Sequence, residues 1–227
     1  MKRCLILLLC LFALSPPALA TEPKYVALTF DDGPSGRFTR RLLEGLAERD
    51  VKATFFVCGY RLKQYPELAE ELCSQGHELG LHGYSHQNMK TMSRRDIAKE
   101  IMDTEALLPP GGRARFLRPP GGCCSDGVRQ VARARNYAIL DWSVDPRDWA
   151  TKDTAAIQSA VVDQVQDGDI VLLHDMSDSS VDAALRIIDR LKADGFTFVT
   201  VSELAKRRDM DITPGQMYRK FPPEEGK

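Results

Sequence analysis

The stretch Lys24-Tyr25-Val26-Ala27-Leu28-Thr29-Phe30-Asp31-Asp32-Gly33-Pro34 carries the reading of the fold. An apolar run over residues 25–30 ends abruptly in two carboxylates and the Gly-Pro punctuation of a sharp turn. That is the signature of a buried strand that delivers polar side chains at its C-terminal end. The same unit recurs along the chain. Short apolar runs at 53–57, 78–81, 116–117, 138–142, 170–173 and 196–201 predict further strands. Between them, amphipathic patterns at 36–48, 66–74, 93–108, 154–166 and 181–193 predict helices, several opened by capping residues or early prolines.

Strand followed by helix, about seven times over, implies parallel strands joined by crossover helices. An open doubly wound sheet and a barrel both satisfy this pattern, and spacing alone does not separate them. Either way the polar residues fall on one edge. Asp31 and Asp32 follow the first strand, His82 and His86 the third, Arg118 the fourth, Asp145 and Asp148 the fifth, and His174 the sixth. In both architectures, loops from several strands converge at that edge to form active sites.

The first twenty residues, MKRCLILLLCLFALSPPALA, hold a basic start at Lys2 and Arg3, an apolar run over 4–14 and a small-residue Ala18-Leu19-Ala20 cleavage pattern. They are expected to be an export signal cut after Ala20. The run has about half the length a spanning helix needs, so no stable membrane span is expected after processing. Bulky Leu9 before Cys10 argues against lipid modification there. Processing leaves 207 residues, enough for one catalytic domain with a short C-terminal tail.

The whole chain has 31 basic and 32 acidic side chains. Nothing in that balance suggests nucleic acid, which needs a concentrated basic face. Four cysteines remain after residue 20, and none shows paired CxxC spacing, so a cysteine-held metal is not expected. A disulfide, if one forms, is expected to join Cys58 to Cys123 or Cys124, with Cys73 at the opposite end. The sequence does not indicate an oligomeric state.

His82 and His86 stand four residues apart, a separation that lets two imidazoles reach one ion from a helical turn or tight loop. Asp31 and Asp32 repel each other as neighbours. A cation beside one and an arginine beside the other relieve that repulsion, so a metal ligand next to a general base is a sensible arrangement. Spacing alone leaves open which carboxylate takes which role.

Five segments in this order resemble the motifs of the NodB-homology polysaccharide deacetylases, carbohydrate esterase family 4. They are TFDDGP at 29–34, HGYSH at 82–86, RPPGG at 118–122, DPRDW at 145–149 and LLH at 172–174. The resemblance implies a distorted (β/α) barrel of about seven parallel strands. It implies a divalent metal, commonly zinc but also Co2+, Ni2+ or Mn2+, on Asp32, His82 and His86. Asp31 would be the base, held as a carboxylate and oriented by Arg118, and His174 the acid, oriented by Asp148. The backbone N–H of Gly121 would help hold the oxyanion, and Trp149 and Leu172 would enclose the acetyl methyl.

Three positions depart from the common pattern. Leu81 stands where asparagine is frequent, Gly83 where serine or threonine follows the first histidine, and Gly121 where tyrosine follows the two prolines. None removes a catalytic side chain. The implied substrate is an N-acetylated polysaccharide such as peptidoglycan, a chitin-like chain or an exopolysaccharide. Two other functions remain open: an esterase acting on O-acetylated xylan, and a glycan-binding relative without catalysis.

Overall fold

The computed structural model describes residues 23–223, so the expected signal segment at 1–20 lies outside the described residues. Among the described residues there are eight strands: β1 (Lys24–Asp31), β2 (Thr54–Val57), β3 (Glu78–Leu81), β4 (Ala114–Leu117), β5 (Ala138–Leu140), β6 (Ile170–His174), β7 (Phe196–Phe198) and β8 (Met217–Tyr218). Every ladder between them is parallel. The helices are α1 (Arg37–Glu48), α2 (Gly59–Gln64), α3 (Pro66–Ser74), α4 (Arg94–Glu105), α5 (Asp126–Ala134), α6 (Thr154–Val162), α7 (Asp178–Ala193) and α8 (Val201–Arg207).

The strands lie in the order β6-β1-β2-β3-β4-β5-β8. Long β1 serves different neighbours along its length: Lys24–Val26 pair with β7, and residues 27–31 pair with β6. The sheet then curls back on itself. Val144, four residues beyond β5, bridges in parallel to Val171 of β6, which draws the two ends of the sheet together. That contact decides between the two architectures the sequence allowed, in favour of the distorted barrel.

Alternation along each strand explains the packing. Val26, Leu28 and Phe30 of β1, Phe55 and Val57 of β2, and Val171 and Leu173 of β6 pack outward in one apolar cluster with α1, α6 and α7. Ala27, Phe56, Phe116, Ala138, Leu140 and Ile170 belong to a second cluster inside the sheet. Strands buried on both faces have no polar side, which is why they read as unbroken apolar runs.

Three sequence expectations need correction. The run at 196–201 is not all strand. Thr200 accepts a hydrogen bond from the Glu203 N–H and so caps α8, and the pairing ends at Phe198. The run at 138–142 stops being strand at Leu140, where the carbonyls of Leu140 and Asp141 turn to accept from the Arg118 guanidinium. Last, α2, α5 and β8 were not expected from the sequence, being short and weakly patterned. The four cysteines after residue 20 carry free thiols.

The lower end of the β5–β6 seam is filled by the tail. Lys220 bridges antiparallel to Asp169, and Phe221, fully buried, joins the inner cluster. Gly168 accepts from the Phe221 N–H at 2.8 Å and has φ of 88°. A Cβ there would sit within 2.8 Å of backbone atoms of Phe221 and Pro222. Backbone cannot swing aside as a side chain can, so Gly168→Ala is expected to lower stability by at least about 2 kcal/mol. Denaturant unfolding measures this, and a midpoint equal to that of the natural chain would show that the tail is not fixed as described.

Candidate active site

The alternation that places Val26, Leu28 and Phe30 outward turns Thr29 and Asp31 inward, where Arg118 meets both. Arg118 is fully buried, and its Nη1 donates to Asp31 Oδ1 at 2.7 Å and to Thr29 Oγ1 at 2.8 Å. Its Nε and Nη2 take the carbonyls of Leu140 and Asp141 at 3.1 and 3.0 Å. The guanidinium lies 4.0 Å from the Phe56 ring centroid. A buried cation tied at four points and stacked on an aromatic has no freedom to turn, so it fixes the carboxylate in front of it. Asp31 Oδ2 is left facing His82 Nε2, 3.6 Å away.

Asp32 points the other way because its backbone is left-handed, with φ of 72°. His86, also non-glycine, has φ of 58°, and Gly83 has φ of 78°. Such conformations are disfavoured for ordinary residues and persist where surrounding contacts impose them. They bring one atom each from Asp32, His82 and His86 within 4.8 Å of one another. Asp32 Oδ1 lies 3.4 Å from His82 Nε2 and 3.0 Å from His86 Nε2.

The donor set fits a divalent ion. His82 Nδ1 is 2.7 Å from the Arg118 carbonyl, which can only accept, so Nδ1 carries the proton and the lone pair lies on Nε2, facing Asp32. A tetrahedral ion with bonds of about 2.1 Å sits between ligand atoms about 3.4 Å apart. The two distances from Asp32 Oδ1, 3.4 and 3.0 Å, are close to that spacing. Asp32 Oδ1 is also a buried oxygen without a hydrogen-bond partner among the described residues, as expected of an atom that serves a cation. Burial works against ionisation of Asp32, but the two imidazoles outweigh it and hold its carboxyl far below the usual range.

Across the cleft, His174 ends β6 and Asp148 lies in the loop after β5. Asp148, almost fully buried, accepts from His174 twice: Oδ2 from the backbone N–H at 2.9 Å and Oδ1 from Nδ1 at 2.8 Å. Burial disfavours the charged imidazole. The hydrogen bond and charge of Asp148, with Asp31 and Asp32 behind it, outweigh that and push the His174 pKa up to about 9.

Asp175, the next residue, is fully buried and takes part in a staple between the β1 and β6 loops. Its carboxylate accepts from Thr39 Oγ1, its carbonyl accepts from Ser35 Oγ, and Thr39 Oγ1 in turn accepts from the Ser35 N–H at 2.7 Å. Gly33 lies against the same carboxylate, where a Cβ would come within 2.5 Å of Asp175 Oδ1. The turn that carries Asp31 and Asp32 is thereby held against the loop that carries His174.

Asp31, Asp32, His82, His86 and His174 line one cleft of about 480 Å3, walled also by Gly121, Trp142, Asp145, Trp149 and Leu172. Leu172 is buried, whereas Trp149 is 61% exposed, with the Arg147 guanidinium 5.1 Å from its ring centroid. So the structure brings to one place Asp31, Asp32, His82, His86, Gly121, Trp149, Leu172 and His174, with Arg118 and Asp148 directly behind. The sequence reading missed Trp142 as a wall residue, although its place just past β5 on the polar edge was a usable signal. It also missed Thr29, whose hydroxyl helps seat Arg118. At Gly121 a Cβ would meet only Cys123 Sγ at 3.8 Å, so there is space, but φ of 63° strains any larger residue.

Comparison with known proteins reaches the same region of the chain. The sequence profile of the family described as Polysaccharide deacetylase matches residues 18–140. A peptidoglycan-N-acetylglucosamine deacetylase of Bacillus cereus is 37% identical over 189 residues, which cover 81% of this chain and 89% of that protein. A chitooligosaccharide deacetylase of Sinorhizobium fredii is 36% identical over 196 residues, 79% of this chain and 91% of that one. Among solved structures, a family 4 acetyl xylan esterase from Clostridium thermocellum in complex with a cobalt ion superposes with a TM-score of 0.82 at 34% identity. That match covers 88% of this chain and all of the esterase.

Proposed function

The chain belongs to the polysaccharide deacetylase family, and from that premise we propose that it is an exported, metal-dependent enzyme that hydrolyses N-acetyl groups of N-acetylglucosamine-containing glycans. Peptidoglycan, a chitin-like chain or an exopolysaccharide would serve as the polymer. Relatives named for peptidoglycan and chitooligosaccharide deacetylation support this reading, and export rests on the basic and apolar start of the sequence. Among the described residues no helix is long and apolar enough to cross a membrane.

The observation that carries the proposal is the pair of opposed proton-transfer groups: Asp31 on Arg118 at 2.7 Å, and His174 on Asp148 at 2.8 Å, on either side of the three-ligand cluster. Asp32, His82 and His86 would hold the ion, and two imidazoles with one carboxylate suit zinc. When bound, the ion would supply Lewis-acid polarisation of the acetyl carbonyl and acidification of water. Asp31 Oδ2, the oxygen Arg118 leaves free, takes the proton of the attacking water. His174 Nε2 gives a proton to the departing nitrogen as the C–N bond breaks. Gly121 N–H would donate to the oxyanion, and Leu172 and Trp149 would exclude water around the methyl group.

An amine leaves poorly unless protonated, whereas an ester alkoxide needs less help. The strongly paired His174 therefore favours the amide over the O-acetyl ester. Acetate release from peptidoglycan, chitooligosaccharides, poly-N-acetylglucosamine and acetylxylan tests this, each with and without chelator. The N-acetylated polymers are expected to react, chelator to abolish release, and a divalent ion to restore it in a chain that stays folded. Faster release from acetylxylan would move the enzyme to the esterase class. No release from any polymer would make it a glycan-binding relative, and release at metal content near zero would remove the metal from the reaction.

A further inference from the structure

Both imidazoles of the cluster hang on one short loop, so whatever fixes that loop fixes the ligands. His82 is secured from both sides by the Val57 and Arg118 carbonyls. His86 is not: it is exposed, its backbone has φ of 58°, and it stands at the end of the loop from residue 83 to 85 that leaves β3. Gly83 brings no side chain to steady that loop, and its φ of 78° leaves no easy place for one. A Cβ there would lie 2.8 Å from Met89 Cε and 3.2 Å from Glu100 Oε2.

The loop is nevertheless bonded on both sides. The carbonyls of Gly83 and Tyr84 accept from the N–H groups of Gly59 and Tyr60, each at 3.0 Å. Three of its donors turn to one residue of α4. Glu100 Oε2 accepts from the Tyr84 N–H at 2.7 Å and the Ser85 N–H at 2.8 Å, and Oε1 accepts from Ser85 Oγ at 2.8 Å. Glu100 is half-buried and makes no ion pair among the described residues, so its carboxylate is spent on the loop. Two successive N–H groups converging on one oxygen form an anion-binding concavity, and charge-assisted bonds of this length are the strong ones.

We propose that Glu100 is the positioning residue of the metal centre, clamping the loop between His82 and His86 so that the second imidazole reaches Asp32. This rests on the reading of Asp32, His82 and His86 as metal ligands. Outer residues that orient ligands commonly change metal affinity by about 10–100-fold when lost. Glu100→Ala is therefore expected to weaken Zn2+ binding about 10-fold or more, measured on the full chain by competition with a chromogenic chelator. Glu100→Asp, which keeps the charge but falls one methylene short of both amides, is expected to follow it. Glu100→Gln, which keeps an acceptor at the same reach, is expected to stay within about threefold of the natural chain.

A second readout does not involve metal. In the metal-free protein, hydrogen exchange at the Tyr84 and Ser85 amides is expected to speed up about 10-fold or more in Glu100→Ala, relative to amides in β1. Should Glu100→Ala not fold, Glu100→Asp carries both measurements. Zn2+ affinity within twofold of the natural chain, with the variant folded, overturns the proposal, and so does unchanged exchange at both amides. If the natural chain itself binds no Zn2+, the metal reading fails, and the exchange measurement still decides whether Glu100 clamps the loop.

Discussion

Asp31→Asn is expected to lower turnover by about 100-fold or more while leaving metal content unchanged, because a lost general base commonly costs 100- to 10,000-fold. The amide can still accept one hydrogen bond from Arg118, so the buried guanidinium keeps a partner, but it no longer accepts a proton from water. Asp32→Asn is expected to behave in the opposite way. Its Oδ1 faces both imidazoles at 3.4 and 3.0 Å, and a neutral amide is a poorer ligand, so metal content falls and activity partly returns at high metal concentration. Extra metal should not rescue Asp31→Asn. Measuring metal content and turnover on both variants separates the roles. Metal lost from Asp31→Asn and retained in Asp32→Asn would exchange them.

That distinction could not be made from spacing. Two adjacent carboxylates at a strand end are interchangeable in sequence, and the structure separates them by the pleat and by one dihedral angle. Asp31 is still on the β1 ladder, paired with Phe56 and His174, so it must point into the barrel toward Arg118. Asp32 is the first residue off the ladder, and its left-handed backbone swings the side chain out to His82 and His86. Aspartate enters such a conformation more readily than most non-glycine residues, but positions 31 and 32 are both aspartate, so residue type did not say which one would turn.

What was legible was whatever is encoded locally. The strand ends carrying Asp31, His82, Arg118 and His174 follow from apolar runs broken by polar residues, and the chemistry follows from residue types gathered on one edge. What was hidden depends on contacts far along the chain. The barrel closes at Val144–Val171, and its floor is completed by Phe221 against Gly168, neither of which has a local pattern. Glu100 lies 15 and 16 residues from the amides it holds, on a helix whose sequence marks it only as one charged position among several. The loss of a hydroxyl at Gly83 could be noticed in the sequence; the carboxylate that bonds the loop instead could not.

The acid side yields the second large effect, and it discriminates between substrates. His174→Ala removes the proton donor for the departing group and is expected to cost about 100-fold or more on N-acetylated glycans. On an acetate ester with a good leaving alcohol, the loss should be much smaller, because that alcohol departs with little protonation. Asp148→Asn should act through the same imidazole. With burial opposing the charge, it is chiefly Asp148 that lifts the His174 pKa to about 9, so the variant's midpoint should fall toward the ordinary value of about 6.5. A raised pKa means the imidazolium persists as pH rises until about 9, so in the metal-free natural chain the ring is charged at neutral pH and loses its proton only in that range. In Asp148→Asn the charged form is lost at lower pH, by up to about 2.5 units, and amide turnover should fail on the alkaline side first. NMR titration of the His174 ring in both metal-free proteins, with rates on an amide and an ester substrate across pH, checks each step. Equal losses on amide and ester in His174→Ala would mean that the imidazole holds the substrate instead of protonating the leaving nitrogen.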